Sequence, residues 1–413
     1  MRRQNVFGRP KKKRYGKLII IIIAVLVFQV SSVLYLSNIE YDTEATYESI
    51  SIDPPGDAKV AWPIDGQSAI GTTSHGLLES KNENTSPVPI ASITKLFTAL
   101  AIVKKKPVKT SGEQNKIVFT SSDVWSYTDY LSQGGAVVPI AVGQEMTEYE
   151  ALQAMLIPSA NNMADTLAVW AFGSMDAYLE YVNKMVRNMG MVDTKIADAS
   201  GFSPESVSTP KDLIKLGQAA ASDPVISSII RRPYTDLPNT GRIYNTNKLL
   251  GTNGIIGGKT GNTPEAGDCL LFIANHTSVN SGSQTIIGVV LGQQSSRPET
   301  FNRANSLLNS TKKGFVKTTL IKKGQSIGTY KTAWDREIDI LANDSIKLNA
   351  WKDTPISPDI WIKDAVGSMP AGDKVGSLVV QSGDDTFETS LSIEEQIEKP
   401  SILWRLSNLL TYH

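Results

Sequence analysis

Ser92 and Lys95 stand three residues apart in Pro89-Ile90-Ala91-Ser92-Ile93-Thr94-Lys95-Leu96-Phe97-Thr98-Ala99-Leu100. Turn formers precede the pair and helix formers follow it, so the segment predicts that Ser92 opens a helix. Residues three apart on a helix share a face, with Cβ atoms about 5–6 Å apart, which brings an amine within reach of a hydroxyl. A serine is a poor nucleophile until a neighbouring base takes its proton. The unpaired N–H groups and positive dipole end of a helix N-terminus suit the oxyanion that follows attack. The chemistry on offer is acyl transfer. Alone, Ser-x-x-Lys means little, because such pairs arise by chance and usually lie on a solvated face. Two further segments follow in order: Pro158-Ser159-Ala160-Asn161-Asn162, between helical patterns, and Gly257-Gly258-Lys259-Thr260-Gly261, a glycine-flanked cation ahead of a strand-like run.

Other chemistries are poorly supplied. The chain of 413 residues has three histidines, His75, His276 and His413, and one cysteine, Cys269. That leaves little for a Ser/His/Asp triad or a His-rich metal centre, no intramolecular disulfide and no four-cysteine zinc site. No metal or organic cofactor is expected. His75 and His276 read as surface or structural residues, and Cys269 as a small buried strand residue. Formal charge is zero, yet residues 1–17 hold eight Lys/Arg and no acid, leaving 33 basic against 41 acidic side chains in the remainder. An acidic body argues against a nucleic-acid partner.

The elements that must carry these residues are legible in outline. Residues 18–36 form an apolar run long enough to span a bilayer. Basic residues lie upstream, and Glu40, Asp42, Glu44 and Glu48 lie downstream, which places a basic tail (1–17) in the cytoplasm and the rest outside. No clear small-x-small cleavage site follows, which favours an uncleaved anchor. Residues 37–58, with Pro54-Pro55-Gly56, read as a linker. Segments 147–170, 175–190 and 299–309 have helical patterns, and Cys269–Ala274 and Thr285–Leu291 read as strands, implying an α+β domain over 59–315. Short β-like stretches (Ser326–Tyr330, Glu337–Leu341, Ser345–Ala350, Lys374–Gln381) suggest a small β-rich domain over 316–398. The tail 399–413 places Ile402, Leu403, Leu406, Leu409 and Leu410 on one stripe beside Trp404, either in a membrane interface or docked on its own domain.

Together the three segments resemble the signatures Ser-x-x-Lys, Ser-x-Asn and Lys-Thr-Gly of the penicillin-binding D-alanyl-D-alanine carboxypeptidases of the serine β-lactamase superfamily. MLIPSANNMADTLA, DASGFSPESVSTPKDL, YNTNKLL, GGKTGNTPEAGDCLL and FNRANSLL extend the likeness over roughly residues 59–315. The resemblance implies an antiparallel sheet flanked by helices, with Ser92 as the acylated nucleophile, Lys95 as base, and Ser159 and Asn161 on the opposite wall of the cleft. Lys259 and Thr260 would hold a substrate carboxylate, beside Gly261 and Asn262, with the N–H groups of Ser92 and Asn262 as oxyanion hole. It further implies a cell-envelope serine peptidase of peptidoglycan biosynthesis and cell shape. Its substrates would be stem pentapeptides, and β-lactams would acylate it. Two alternatives share the fold: a class A β-lactamase, which needs a deacylating glutamate in a Glu-x-x-Leu-Asn segment not evident between Asn161 and Lys259, and a non-catalytic wall-binding protein. For Lys95 to act as base its pKa must fall by about three units from about 10.4, through burial and a second cation such as Lys259. Asp198 reads as a deacylating carboxylate or, equally well, as a turn cap beside Ser200-Gly201.

Overall fold

The computed structural model describes residues 15–37, 41–47, 59–81, 86–108, 114–278, 282–351, 356–383 and 385–408. Outside the described residues lie 1–14 of the basic tail, 38–40 and 48–58 of the linker, short pieces of both expected domains, and 409–413, with Leu409 and Leu410, of the C-terminal tail.

Tyr15–Ser37 is one helix whose large apolar side chains are exposed from Leu18 to Tyr35, while Leu36 is buried. Gly16–Leu36 within it is long and apolar enough to cross a membrane.

The fold places the three segments around one antiparallel sheet of five strands, ordered Ile255–Thr263, Gly267–Ser278, Gly282–Gln293, Gln67–Thr72 and Gly76–Ser80. One face packs on a core shared by the helices Thr94–Lys105, Glu148–Leu156, Asn161–Phe172 and Pro210–Ser222. The other face is covered by the helix Arg297–Lys313, with Phe315 and Trp351. Both faces are apolar because both are covered, which is why these strands read as continuous rather than alternating runs. Gly288 illustrates the fit: a Cβ there would lie 2.0 Å from Cζ of the buried Phe272, so the missing side chain makes room for a ring worth roughly 1.5–3 kcal/mol on burial.

The helical pattern over 147–170 resolves into two helices, Glu148–Leu156 and Asn161–Phe172. A Thr147/Glu150 capping box starts the first. Pro158 and a positive φ of 70° at Ser159 separate it from the second.

The stretch expected to be a spacer departs from that expectation. Asp42–Tyr47 is a strand of a seven-stranded sheet ordered Ser357–Ile362, Lys374–Ser382, Asp385–Ile393, Glu337–Ala342, Ser326–Lys331, Asp42–Tyr47 and Ala365–Val366. Glu44, Ala45, Thr46 and Tyr47 pair with Lys331, Tyr330, Thr329 and Gly328. Thr43 is buried and Ala45 half-buried while Glu44 and Thr46 face out, the period-2 pattern of a strand with one wet side. The five-stranded sheet and its helices are therefore inserted, in sequence, between two neighbouring strands of the second sheet.

The short helix Ile402–Ser407 buries Arg405, whose guanidinium donates to the carbonyls of Pro400 (2.9 Å) and Leu36 (2.6 Å), so the chain's last helix is tied to the end of its first. Trp404 stacks edge-on against Tyr41 and Trp334. Ile402, Leu403 and Leu406 remain exposed.

Candidate active site

Ser92 sits in a 3₁₀ turn, Ala91–Ile93, that runs directly into the helix Thr94–Lys105, so it opens the helix as expected but from a tighter turn. Two neighbours hold that turn. Ala91 has a φ of +46°, an uncommon conformation for a residue with a Cβ. Gly201, at φ +73°, lies so close that a Cβ on it would be 1.8 Å from the Ala91 carbonyl oxygen. On the other side a Cβ on Gly261 would be 2.9 Å from the Ile90 oxygen and 3.1 Å from the Ser92 nitrogen, so the strand carrying Lys259 passes against the turn only because position 261 is glycine.

The Lys95 amine is fully buried and makes three contacts: Ser92 Oγ at 2.9 Å, Asn161 Oδ1 at 2.7 Å and the Ser200 carbonyl at 2.7 Å. As an ammonium it donates to all three. As a neutral amine it keeps donating to the two acceptors that carry no hydrogen, Asn161 Oδ1 and Ser200 O, and its lone pair is left facing the one partner able to donate, Ser92. Burial lowers its pKa to about 7, against the opposing charges of Asp198 and Asp165.

Ser159 lies on the loop between the two helices, and its Oγ accepts from Lys259 Nζ at 2.8 Å. Lys259 also donates to the Thr260 carbonyl at 2.9 Å, and Thr260 Oγ1 is 2.7 Å from Thr246 Oγ1. Asn262 Nδ2 donates to Asp268 at 3.1 Å. Ser92, Ser159, Asn161, Thr260, Gly261 and Asn262 line one cleft of about 200 Å³, with Lys95 and Lys259 buried in its walls.

Burial is the first cause of the lowered pKa of both lysines. The two cations also repel each other across the cleft wall, so each disfavours the charged form of the other. Lys259 is held well below the usual lysine range by its own burial and then by the charges of Lys95 and Arg297. The glycines around it admit neighbouring backbone and side chains rather than solvent: a Cβ on Gly258 would be 2.2 Å from the Leu271 carbonyl, and one on Gly257 3.1 Å from the Ile230 side chain.

Several cleft residues had no signal of their own in the sequence. Arg297 lines the cleft with its guanidinium held on Asp268 Oδ1 at 2.7 and 3.0 Å, and Thr246 lines it from the segment YNTNKLL. Ser200, within DASGF, supplies the carbonyl that holds Lys95. Asp198 has the role of the turn cap: Oδ2 accepts from Ser200 Oγ (2.8 Å), Phe202 N (2.8 Å) and Ser203 N (3.3 Å), and Oδ1 accepts from Ser206 Oγ. His75 bridges Ser74 and Ser382, and His276 lies beside Phe315; neither lines the cleft. Cys269 is buried, its thiol pushed up to about 12 by that burial.

The sequence profile of the D-alanyl-D-alanine carboxypeptidase family matches residues 58–295. The D-alanyl-D-alanine carboxypeptidase DacF of Bacillus subtilis is 25% identical over 342 residues, 79% of this chain and 84% of its own length. DacC of Escherichia coli is 23% identical over 379 residues, 89% of this chain and 90% of its own. The crystal structure of a peptidoglycan synthesis regulatory factor from Streptococcus pneumoniae shares the fold with a TM-score of 0.59 at 19% identity, over 82% of this chain and all of that one. A profile that matches over half of the sequence, and that spans Ser92, Ser159 and Lys259, fixes the relationship: the chain belongs to the D-alanyl-D-alanine carboxypeptidase family.

Proposed function

We propose that this protein releases the terminal D-alanine of peptidoglycan stem pentapeptides through an acyl-enzyme on Ser92. The observation that carries the reading is the Lys95 amine, 2.9 Å from the serine oxygen, with its other two contacts made to obligate acceptors. Neutral Lys95 takes the Ser92 proton as Oγ attacks the carbonyl between the last two D-alanines. The N–H groups of Ser92 and Asn262 receive the oxyanion. Collapse breaks the C–N bond, and the proton that Lys95 took passes by way of Ser159, which Lys259 holds in place, to the leaving amine, so Lys95 is neutral again. Asn161 positions the substrate amide. Lys259, Thr260 and Arg297 form the subsite for the terminal carboxylate, whose negative charge favours the charged form of Lys259 on binding. Water then attacks the ester carbonyl as Lys95 takes its proton, the bond to Ser92 Oγ breaks, and Lys95 returns that proton to the serine oxygen. A β-lactam carbonyl enters the same path and leaves Ser92 acylated.

The test is D-alanine release from a synthetic pentapeptide. The wild-type protein should liberate one D-alanine per peptide, and Ser92→Ala should liberate none; release by the folded alanine variant would move the nucleophile elsewhere. A penicillin turned over rapidly, with no pentapeptide cleavage, would favour the β-lactamase reading.

The same proposal covers placement. Residues 18–36 anchor the chain, with 1–17 in the cytoplasm and 59–413 outside, and the exposed Ile402, Leu403 and Leu406 add an apolar contact with the bilayer beside the helix end to which Arg405 is tied. The chain is read as a catalytic domain over 59–315 carried by a β-rich domain over 316–398, to which Asp42–Tyr47 contributes a strand. Protease added to intact spheroplasts should degrade the portion after residue 59, and full protection would reject this topology.

A further inference from the structure

The acid–base chemistry of Lys95 leaves a half-buried carboxylate nearby without a role. Asp165 stands one turn after Asn161 on the helix Asn161–Phe172. It accepts hydrogen bonds from Ser126 Oγ, at 3.4 Å, and from the Tyr130 hydroxyl, both on the helix Ser121–Ser132. The Tyr130 oxygen is 3.3 Å from Ser200 Oγ, which contacts Asp198 Oδ2 at 2.8 Å, and the Ser200 carbonyl receives the Lys95 amine. A continuous chain therefore runs Asp165, Tyr130, Ser200, Asp198, and its third member holds the catalytic lysine. Phe202 packs edge-on against Tyr130 with ring centroids 5.3 Å apart and lines the cleft, keeping the chain against the site.

The protons in this chain can be counted. Its three oxygen contacts share two hydroxyl hydrogens, those of Tyr130 and Ser200, when both carboxylates are ionised. Protonation of Asp165 supplies the third. The chain is thus built to take up one proton, and the charge that disappears is one of two anionic charges acting on Lys95, those of Asp198 and Asp165.

We propose that Asp165 is a positioning residue for the Ser92–Lys95 pair: through Tyr130 it steadies the Ser200 carbonyl on the amine, and its ionised carboxylate sets the pH at which Lys95 becomes a base. Burial pushes the Asp165 carboxyl up to about 6, just below the lysine, so both groups change charge within the working range. The titratable and charged groups around the two are Asp123, Asp129 and Tyr130 on the helix Ser121–Ser132, Tyr178 on the helix Met175–Asn188, Asp198 on the loop, Lys259 on its strand, and Arg297. The competing account is a plain interhelical tie, since the next residue, Thr166, also bonds across to Asp123, at 2.6 Å. Thr166→Val breaks that tie without removing a charge, which makes it the control.

The inference rests on Lys95 being the base, and one experiment separates the two. Second-order acylation of Ser92 by benzylpenicillin is measured from pH 5 to 9 on the full chain in detergent. Asp165 opposes loss of the lysine proton, so Asp165→Asn should move the acid limb to lower pH by about one unit, the scale of a unit charge about 10 Å off at an effective dielectric of about 20. Asp165→Glu should restore the wild-type midpoint, and Thr166→Val should leave it in place. If the Asn variant does not fold, Asp165→Ser, which leaves room for a water beside Tyr130, carries the same test. A wild-type limb that stays put in the folded neutral variant, or moves equally in Thr166→Val, overturns the inference and leaves the reading of Lys95 standing. A wild-type profile without an acid limb overturns both.

Discussion

Lys95→Met should lower the second-order rate of acylation by penicillin by about 10²–10⁴-fold, the range set by removal of a positioned general base. The loss is specific to chemistry. Methionine occupies similar volume, so the core around position 95 should hold, while Asn161 Oδ1 and the Ser200 carbonyl each lose a buried donor at about 1–3 kcal/mol. Lys95→Arg should fail equally, because a guanidinium stays protonated across the accessible range. For the wild-type protein the rate should rise with pH through about 7, as Lys95 loses its proton and gains a lone pair toward Ser92. Stopped-flow acylation of the three proteins checks this; a methionine variant within tenfold of wild type would place the base elsewhere.

Gly201→Ala should be nearly as damaging at a cleft position with no side chain to take part in the chemistry. The residue has φ +73°, and an added Cβ would stand 1.8 Å from the Ala91 oxygen, 2.5 Å from the Ala91 carbon and 2.6 Å from Thr94 Oγ1. The conformation alone costs about 1–2 kcal/mol and the overlap about 1–3 kcal/mol more. Backbone cannot yield as a flexible side chain would, so the loop must lift, and it carries the Ser200 carbonyl away from Lys95. A displacement of about 1 Å at a catalytic contact can cost about 10²-fold in rate. Gly241→Ala is the matched control: φ is +80° with nothing within 4 Å of the added carbon, so it should cost only the conformational part and leave acylation intact. Thermal unfolding and acylation measured together on both variants decide this, and equal behaviour would remove the docking of Gly201 on the serine turn from the account.

How much of this was legible in the sequence depended on how local the cause was. Ser92 with Lys95, Ser159 with Asn161, and Lys259 with Thr260 each lie within one short segment, and turn or glycine residues beside them marked where the chain bends. The break at Ile157–Ala160 was signalled by Pro158 inside a long helical pattern. What escaped was long-range. Asp42–Tyr47 has the polar composition of a spacer, and its partner Ser326–Lys331 lies far along the chain, so only pairing makes it a strand. Arg297 and Thr246 became cleft residues through folding, and Arg405 found its acceptor at Leu36. The two lysines show the same limit in electrostatics. Their proximity could be anticipated, but burial is the largest cause of the shift at both, and burial belongs to the folded state.

The most direct measurement is to incubate the full chain with benzylpenicillin, digest it, and locate the covalent adduct by mass spectrometry. The account predicts one adduct, on Ser92, in stoichiometric amount, and none on folded Ser92→Ala under the same conditions. An adduct on any other residue, or undiminished labelling of the alanine variant, would contradict it.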